Sequence, residues 1–96
     1  MSEAPKKEIS RLTEARNEAD TILSAVERAP KSPSWQQLSG WEQSSIAEAR
    51  DRLVVVKQGE DVAVIRDAIH ALDQATQRFA ELMIESAVHG AIHGRN

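Results

Sequence analysis

The length and charge balance of the chain exclude several classes of function. Its 96 residues suffice for one small domain with a single core. The 12 basic and 15 acidic residues are scattered along the chain and give a net charge of -3, so the concentrated positive charge of a nucleic-acid-binding surface is lacking. Cysteine is absent, which excludes disulfides and thiolate chemistry. No apolar run approaches the roughly 20 residues that span a bilayer. The first residues lack the apolar core of a secretory signal, and we therefore predict a cytoplasmic protein without nucleic-acid or membrane partners.

The first segment has the periodicity of an amphipathic helix. Apolar residues recur at alternating steps of three and four, and Arg16 occupies the one position that interrupts them. Pro5 suits a first helical turn because its missing N–H would have no partner there, and Pro30 marks the end of the segment. We therefore predict a helix over about 5–29. Its apolar stripe consists of Ile9, Leu12, Ala19, Leu23 and Val26.

A loop over 30–39 separates this helix from the next. Residues 30–34 contain two prolines and two serines, which restrict φ and compete for backbone hydrogen bonds. Ser39 and Glu42 then have the Ser-x-x-Glu spacing of a capping box, which predicts a helix over about 40–58. Gly59 gives the expected stop, because glycine tolerates the left-handed geometry that often ends a helix. The stripe of this helix consists of Ile46, Ala49, Leu53 and Val56.

A third helix is predicted over about 61–86. Asp61 can cap it only two residues after Gly59, so the connection is short and the two helices it joins should be antiparallel neighbours. After Ser86, the glycines at positions 90 and 94 weaken helix formation, and we predict only a short, fraying helix over about 87–93. The stripe of the third helix consists of Val62, Ile65, Ile69, Leu72, Thr76, Phe79 and Met83, widened by Ala68, Ala75 and Leu82.

Three such stripes must cover one another, which predicts an all-α fold. The expected architecture is an antiparallel three-helix bundle with a short fourth helix at the C-terminal end, forming a single domain over 1–96. Each large apolar side chain contributes roughly 1.5 to 3 kcal/mol when it is buried. A bundle of this size is near the minimum that folds alone.

No constellation of residues indicates catalysis. Ser44 and Ser45 lack the Gly-x-Ser-x-Gly turn of a hydrolase, and no glycine-rich loop precedes a helix. Glu85, His89 and His93 recur at steps of four and would align toward a metal ion on a continuous helix. The glycines of that segment interrupt the helix and no fourth ligand is evident. We therefore predict no enzymatic activity, no bound metal and no cofactor in this chain.

Short strings along the chain resemble the helical lid of DnaK-type heat-shock chaperones. They are residues 14–20, Glu-Ala-Arg-Asn-Glu-Ala-Asp, the turn Gly59-Glu-Asp, and the run over 65–80. Together these strings span nearly the whole chain. Residues 79–94 are most similar to the HscA branch of the family, which serves iron–sulfur cluster assembly.

The resemblance implies a division of labour with domains that this chain lacks. An ATPase domain would hold ATP or ADP with Mg²⁺, and a β-sandwich peptide-binding subdomain would hold the client protein. This lid would close over the pocket in the ADP state and slow client release. In the family the first lid helix continues into the pocket domain, so we interpret the chain as an excised fragment. Exposure of Ile9 and Leu12 would then favour weak self-association.

The resemblance also assigns site residues. An Arg and an Asp of the family's lid helix latch it to loops of the pocket, and they match Arg16 and Asp20 in this sequence. Ser24 stands where DnaK itself has a further latch histidine, so this latch contact is absent from the sequence. A guanidinium aimed at carboxylates or carbonyls would favour a closed lid reversibly. The residues themselves leave another interpretation open, in which Arg16 extends past the bundle edge and Asp20 pairs with it on the same helix.

A free-standing adaptor is the alternative function. Such a bundle would bind a partner protein through its amphipathic first helix and the loop that carries Trp35. Trp35 and Trp41 flank the start of the second helix, where they could either cover the open end of the bundle or mark an interaction surface.

Overall fold

A computed structural model describes the backbone of residues 4–93 and the side chains of residues 10–89. Its helices are α1 (Ala4–Arg28), α2 (Gly40–Val56) and α3 (Val62–His93). Two short 3₁₀ helices, Ala29–Lys31 and Pro33–Gln37, lie between α1 and α2, and the described backbone contains no strand. The three helices pack against one another, and the predicted all-α helical bundle is confirmed.

Side-chain caps determine where α2 and α3 begin. The Ser39 hydroxyl accepts a hydrogen bond from the Glu42 N–H at 3.2 Å, and the Glu42 carboxylate accepts one from the Ser39 N–H at 2.9 Å. The Asp61 carboxylate accepts a hydrogen bond from the Val64 N–H at 3.2 Å. These bonds satisfy backbone donors that have no partner inside the helix. The capping box and the Asp61 cap are therefore both confirmed.

The end of α2 differs from the prediction. Gly59 does not adopt a positive φ, so the expected left-handed stop is wrong. Instead the N–H of Gln58 bonds to the Val55 carbonyl at 3.3 Å and the N–H of Gly59 bonds to the Val56 carbonyl at 3.0 Å, which tightens the last turn. The carbonyls of Lys57 and Gly59 accept hydrogen bonds from the side chain of Arg16 on α1. A side chain of α1 thus supplies hydrogen-bond donors to the carbonyls that follow α2.

The C-terminal helix is longer than predicted. α3 continues over 32 residues through Gly90 to His93, so the separate short helix over 87–93 and the break after Ser86 are wrong. A glycine inside a helix costs about 1 kcal/mol relative to alanine, which weakens a helix without ending it. Proline would end it, but none occurs between residues 62 and 93. Gly94 lies outside the described residues.

The helices run up, down and up. α2 is antiparallel to both neighbours, and α1 and α3 run in the same direction. Glu18 of α1 pairs with Arg66 near the start of α3, and further along both helices Val26 and Phe79 line the same groove. Since Arg16 lies level with the α2–α3 turn, the part of α1 that precedes it extends beyond that turn.

The predicted stripes meet in one core. The largest fully buried side chains come from α2 and α3, whereas α1 contributes the small Ala15 and Ala19 together with Leu23 and Val26. Leu12 is half-buried and packs against this core, while the side chain of Ile9 lies outside the described set. Met83, the last member of the third stripe, is 47% exposed. The fully buried large side chains are Ile46, Leu53, Ile65 and Leu72.

Two isoleucines of α3 allow a matched test of this core. Ile65 is fully buried and Ile84 is 65% exposed. We expect Ile65→Ala to lower the free energy of unfolding by about 2–5 kcal/mol, because it removes buried methyl groups and leaves a cavity. Ile84→Ala should change it by less than about 0.5 kcal/mol. Urea unfolding followed by far-ultraviolet circular dichroism measures both values, and equal losses would contradict the assignment of the core.

The capping box predicts a dependence of stability on pH. The backbone and side-chain hydrogen bonds between Glu42 and Ser39 lower the pKa of Glu42 below its ordinary value. A carboxyl whose pKa is lower in the folded state stabilises the fold above its unfolded pKa, and that contribution is lost as the pH falls through the folded pKa. We expect Glu42→Gln to make the thermal midpoint less sensitive to acidification. Parallel midpoint curves for parent and variant would contradict this expectation.

Candidate functional site

The residues predicted to form a latch lie along one side of α1. Arg16, Asp20 and Ser24 follow one another at steps of four, which places them one above the other on the helix surface. Asp20 and Ser24 line an open cleft between α1 and α2, and Lys57 lies on the opposite wall. We call the contact region formed by Arg16, Asp20, Lys57 and Gly59 the clasp. It joins the middle of α1 to the end of α2.

Arg16 binds the end of α2 through two N–H groups on one edge of its guanidinium. Its Nε donates to the Lys57 carbonyl at 3.0 Å and its Nη2 donates to the Gly59 carbonyl at 2.8 Å. The guanidinium carries several donors in a rigid plane, so it bonds to two carbonyls in a fixed orientation, whereas the donors of a lysine ammonium have no such planar arrangement. The positive charge also lies at the C-terminal end of a helix, where the helix dipole favours it.

Asp20 takes part in the clasp through an ion pair. Its Oδ1 lies 2.5 Å from Nζ of Lys57, and the side chains of Asp20 and Lys57 are 58% and 31% exposed. The alternative pairing of Asp20 with Arg16 on the same helix is not what the structure contains, because Arg16 turns toward the carbonyls. Ion pairs this accessible to water contribute little to stability. The Asp20 pair is therefore the weaker half of the clasp.

A second ion pair lies beside the clasp. Arg66 Nη1 of α3 is 3.3 Å from Oε2 of Glu18 on α1. Arg16 and Asp20 thus contact residues between α2 and α3, and Glu18 contacts α3 near its start. Ser24 is exposed on the cleft wall. The latch role of Arg16 and Asp20 toward another domain stays a prediction.

Sequence reasoning did not identify the partners of the latch residues. Gly59 was expected only as a stop that tolerates left-handed geometry, and Lys57 was given no role toward α1. The signal that could have indicated them is the position of Arg16 itself. A charged residue inside an apolar stripe needs hydrogen-bond acceptors nearby, and the carbonyls at a helix end are acceptors without partners in their own helix.

The two tryptophans have different environments. Trp35 packs edge-on against Phe79, with ring centroids 5.9 Å apart and planes at 74°, and its carbonyl accepts a hydrogen bond from Gln43 Nε2 at 2.9 Å. Trp35 therefore covers the end of the bundle. Trp41 is 73% exposed.

Neither a metal cluster nor a membrane span is found in the part of the chain that the structure describes. No three potential metal-ligating side chains come together among the described residues. Glu85 and His89 are exposed on α3, and the side chain of His93 lies outside the described set. None of the helices, over these same residues, combines the length and apolarity that crossing a bilayer requires.

Comparison with known proteins gives matches to chaperones. The chain is 37% identical over 83 residues to a "Chaperone protein HscA homolog" of Tolumonas auensis, which covers 86% of this chain. It is 36% identical over 85 residues to the homolog of Haemophilus influenzae and 31% identical over 85 residues to that of Aliivibrio fischeri, each covering 88% of this chain.

These matches involve a small part of the relatives. The chain spans only 14% of their length, at the C-terminal end, so it does not correspond to their ATPase domain. No protein-family model matches the chain, and no solved structure matches it significantly. The matches support the chaperone interpretation and do not favour the free-standing adaptor.

The geometry of the clasp predicts that arginine at position 16 stabilises the fold more than lysine does. Arg16→Ala removes two hydrogen bonds to backbone carbonyls, and we expect a loss of about 1–3 kcal/mol in the free energy of unfolding. Arg16→Lys should recover only part of this loss, since one ammonium does not replace the planar fork. Arg52→Ala, on the exposed side of α2, is the matched control and should stay near the parent in urea unfolding. Full recovery by lysine would show that charge alone accounts for the contact.

Proposed function

We propose that this chain, which is related by sequence to the C-terminal part of the HscA chaperones, works as a helical lid over a peptide-binding pocket and slows the release of client protein. The observation that carries this proposal is the match to HscA relatives over 86–88% of the chain, confined to the C-terminal part of those relatives. The chain would act by changing position and not by chemistry.

The packing of the bundle supports a lid that moves as one body. Buried side chains from all three helices form a single cluster, and the polar clasp ties α1 to the α2–α3 turn. A cover of this kind needs a preformed shape, because a cover that folded only on closing would lose affinity to the entropy of ordering. The bundle therefore supplies a rigid surface, and the movement would occur where it joins the pocket subdomain.

Asp20 and Arg16 are the residues we propose for the contact with the pocket. The Asp20 carboxylate is largely exposed and accepts hydrogen bonds only, so its partner in the pocket subdomain would be a basic side chain or a backbone N–H. Arg16 would stabilise the same contact, either by positioning α1 or by reaching the pocket directly. The missing histidine at Ser24 would make this latch weaker than that of DnaK.

The parent protein would supply the remaining parts. Its ATPase domain would bind ATP or ADP with Mg²⁺, and its β-sandwich subdomain would bind the client, so the lid itself would need no cofactor. By its resemblance to the HscA branch we propose a role in iron–sulfur cluster assembly in the cytoplasm. Weak self-association of the isolated chain also stays a prediction, although Leu12 packs partly against the core.

A chimera tests the lid function. This chain would replace the matching C-terminal part of the Tolumonas auensis HscA homolog, and dissociation of a fluorescent peptide would be measured with ADP. We expect Asp20→Ala and Arg16→Ala to speed dissociation several-fold, because each removes a contact that favours the closed state. Asp67→Ala, an exposed carboxylate on α3, is the control and should leave the rate unchanged. Identical rates in all variants would refute the latch.

A further inference from the structure

We infer that Lys57 competes with the pocket subdomain for Asp20 and thereby sets how readily the lid opens. This inference rests on the lid function proposed above. It concerns the C-cap residue of α2, which is far from α1 in sequence and which the family resemblance does not assign to the latch. The contact that carries it is the ion pair between Lys57 Nζ and Asp20 Oδ1.

The backbone N–H and the backbone carbonyl of Lys57 are both hydrogen-bonded. Its N–H bonds to the Leu53 carbonyl at 3.0 Å, so it forms the C-cap of α2. Its carbonyl accepts the Arg16 Nε bond at 3.0 Å. With the backbone bound on both sides, the side chain begins from a defined point at the edge of the cleft. The ammonium therefore meets Asp20 without an ordering cost for its backbone.

The neighbouring charges leave Lys57 as the partner of Asp20. The cleft wall also carries Arg50, but its Nε and Nη2 lie 3.1 Å and 2.9 Å from Oδ1 of Asp51, the next residue along the chain. Glu27 lines the same cleft and has the same charge sign as Asp20. Among the side chains that line this cleft, Lys57 is the cation bonded to Asp20.

The two halves of the clasp differ in how easily they exchange partners. Arg16 makes two hydrogen bonds to carbonyls of the turn, and losing it would leave those carbonyls without a charged donor. The Asp20 pair is a single contact between side chains that are 58% and 31% exposed. Water and salt weaken such pairs, so another cation can displace Lys57 at little cost.

A competitor inside the lid lowers the apparent affinity of the latch. When Lys57 occupies Asp20 for part of the time, the pocket's donor binds only the remaining fraction of molecules, and its apparent affinity falls by that fraction. For an exposed ion pair this factor is about two- to fivefold. Lys57 would thus keep the lid from locking shut, which suits a chaperone that must release its client.

The test uses the chimera with ADP and the same fluorescent peptide. We expect Lys57→Met to slow peptide dissociation about two- to fivefold, because Asp20 is freed for the pocket. Lys57→Arg retains a cation and should behave like the parent. Lys31→Met removes one positive charge from an exposed position next to Pro30 and is the matched control for net charge. In an Asp20→Ala background, Lys57→Met should have no effect on the rate.

Three outcomes separate this inference from the lid proposal. If Asp20→Ala leaves dissociation unchanged, the latch itself fails and the inference fails with it. If Asp20→Ala speeds dissociation while Lys57→Met leaves it unchanged or speeds it, the lid proposal stands and competition by Lys57 is overturned. If Lys31→Met slows dissociation as much as Lys57→Met, general charge accounts for the effect and the inference is also overturned.

A measurement on the 96-residue chain checks the pair directly. A double-mutant cycle compares the thermal midpoints of Asp20→Ala, Lys57→Met and the double variant. We expect the midpoint of the double variant to lie close to those of the single variants, and not at the sum of their two shifts. The non-additivity should shrink at 1 M salt, where the Debye length is only about 3 Å. Strict additivity at low salt would show that the ion pair does not persist in solution, and it would overturn the inference.

Discussion

Arg16 donates hydrogen bonds to two carbonyls at the end of α2, and this contact determines where α1 lies against the rest of the bundle. Next to this point α1 buries only the small side chains Ala15 and Ala19, so its apolar packing there gives little preference for one axial position, whereas Leu23 and Val26 pack further along the helix. The directional bonds of a guanidinium provide that preference. The ion pairs of Asp20 and Glu18 and the cleft lined by Asp20 lie beside this contact.

The bundle keeps the contacts that hold its shape apart from its exposed polar contacts. Apolar side chains from three helices hold the shape, and they are fully buried where α2 and α3 face each other. Polar side chains near the α2–α3 turn make ion pairs that are partly exposed to water. In the proposed lid, a surface contact could break on opening while the core stays intact.

Local signals in the sequence were sufficient to predict where α2 and α3 begin. The Ser39–Glu42 capping box and the Asp61 cap involve residues within three positions of each other, so spacing alone defines their geometry. The ends were harder to predict. Gly59 suggested a left-handed stop, yet the last turn closes through local hydrogen bonds and the Gly59 carbonyl bonds to Arg16, 43 residues away from it in sequence. Gly90 suggested a break, but one glycine does not offset the hydrogen bonds of a continuing helix.

The sequence by itself determined the helical class and the three apolar stripes and indicated a resemblance to HscA chaperones, because periodicity and short strings are properties of neighbouring residues. Tertiary structure decided which residues the polar side chains of α1 meet. Arg16 and Asp20 were recognisable as a pair, but their partners Lys57 and Gly59 come close only when α2 has turned back along α1. A pattern along one helix shows which side chains need a partner, and only packing brings that partner within hydrogen-bond distance.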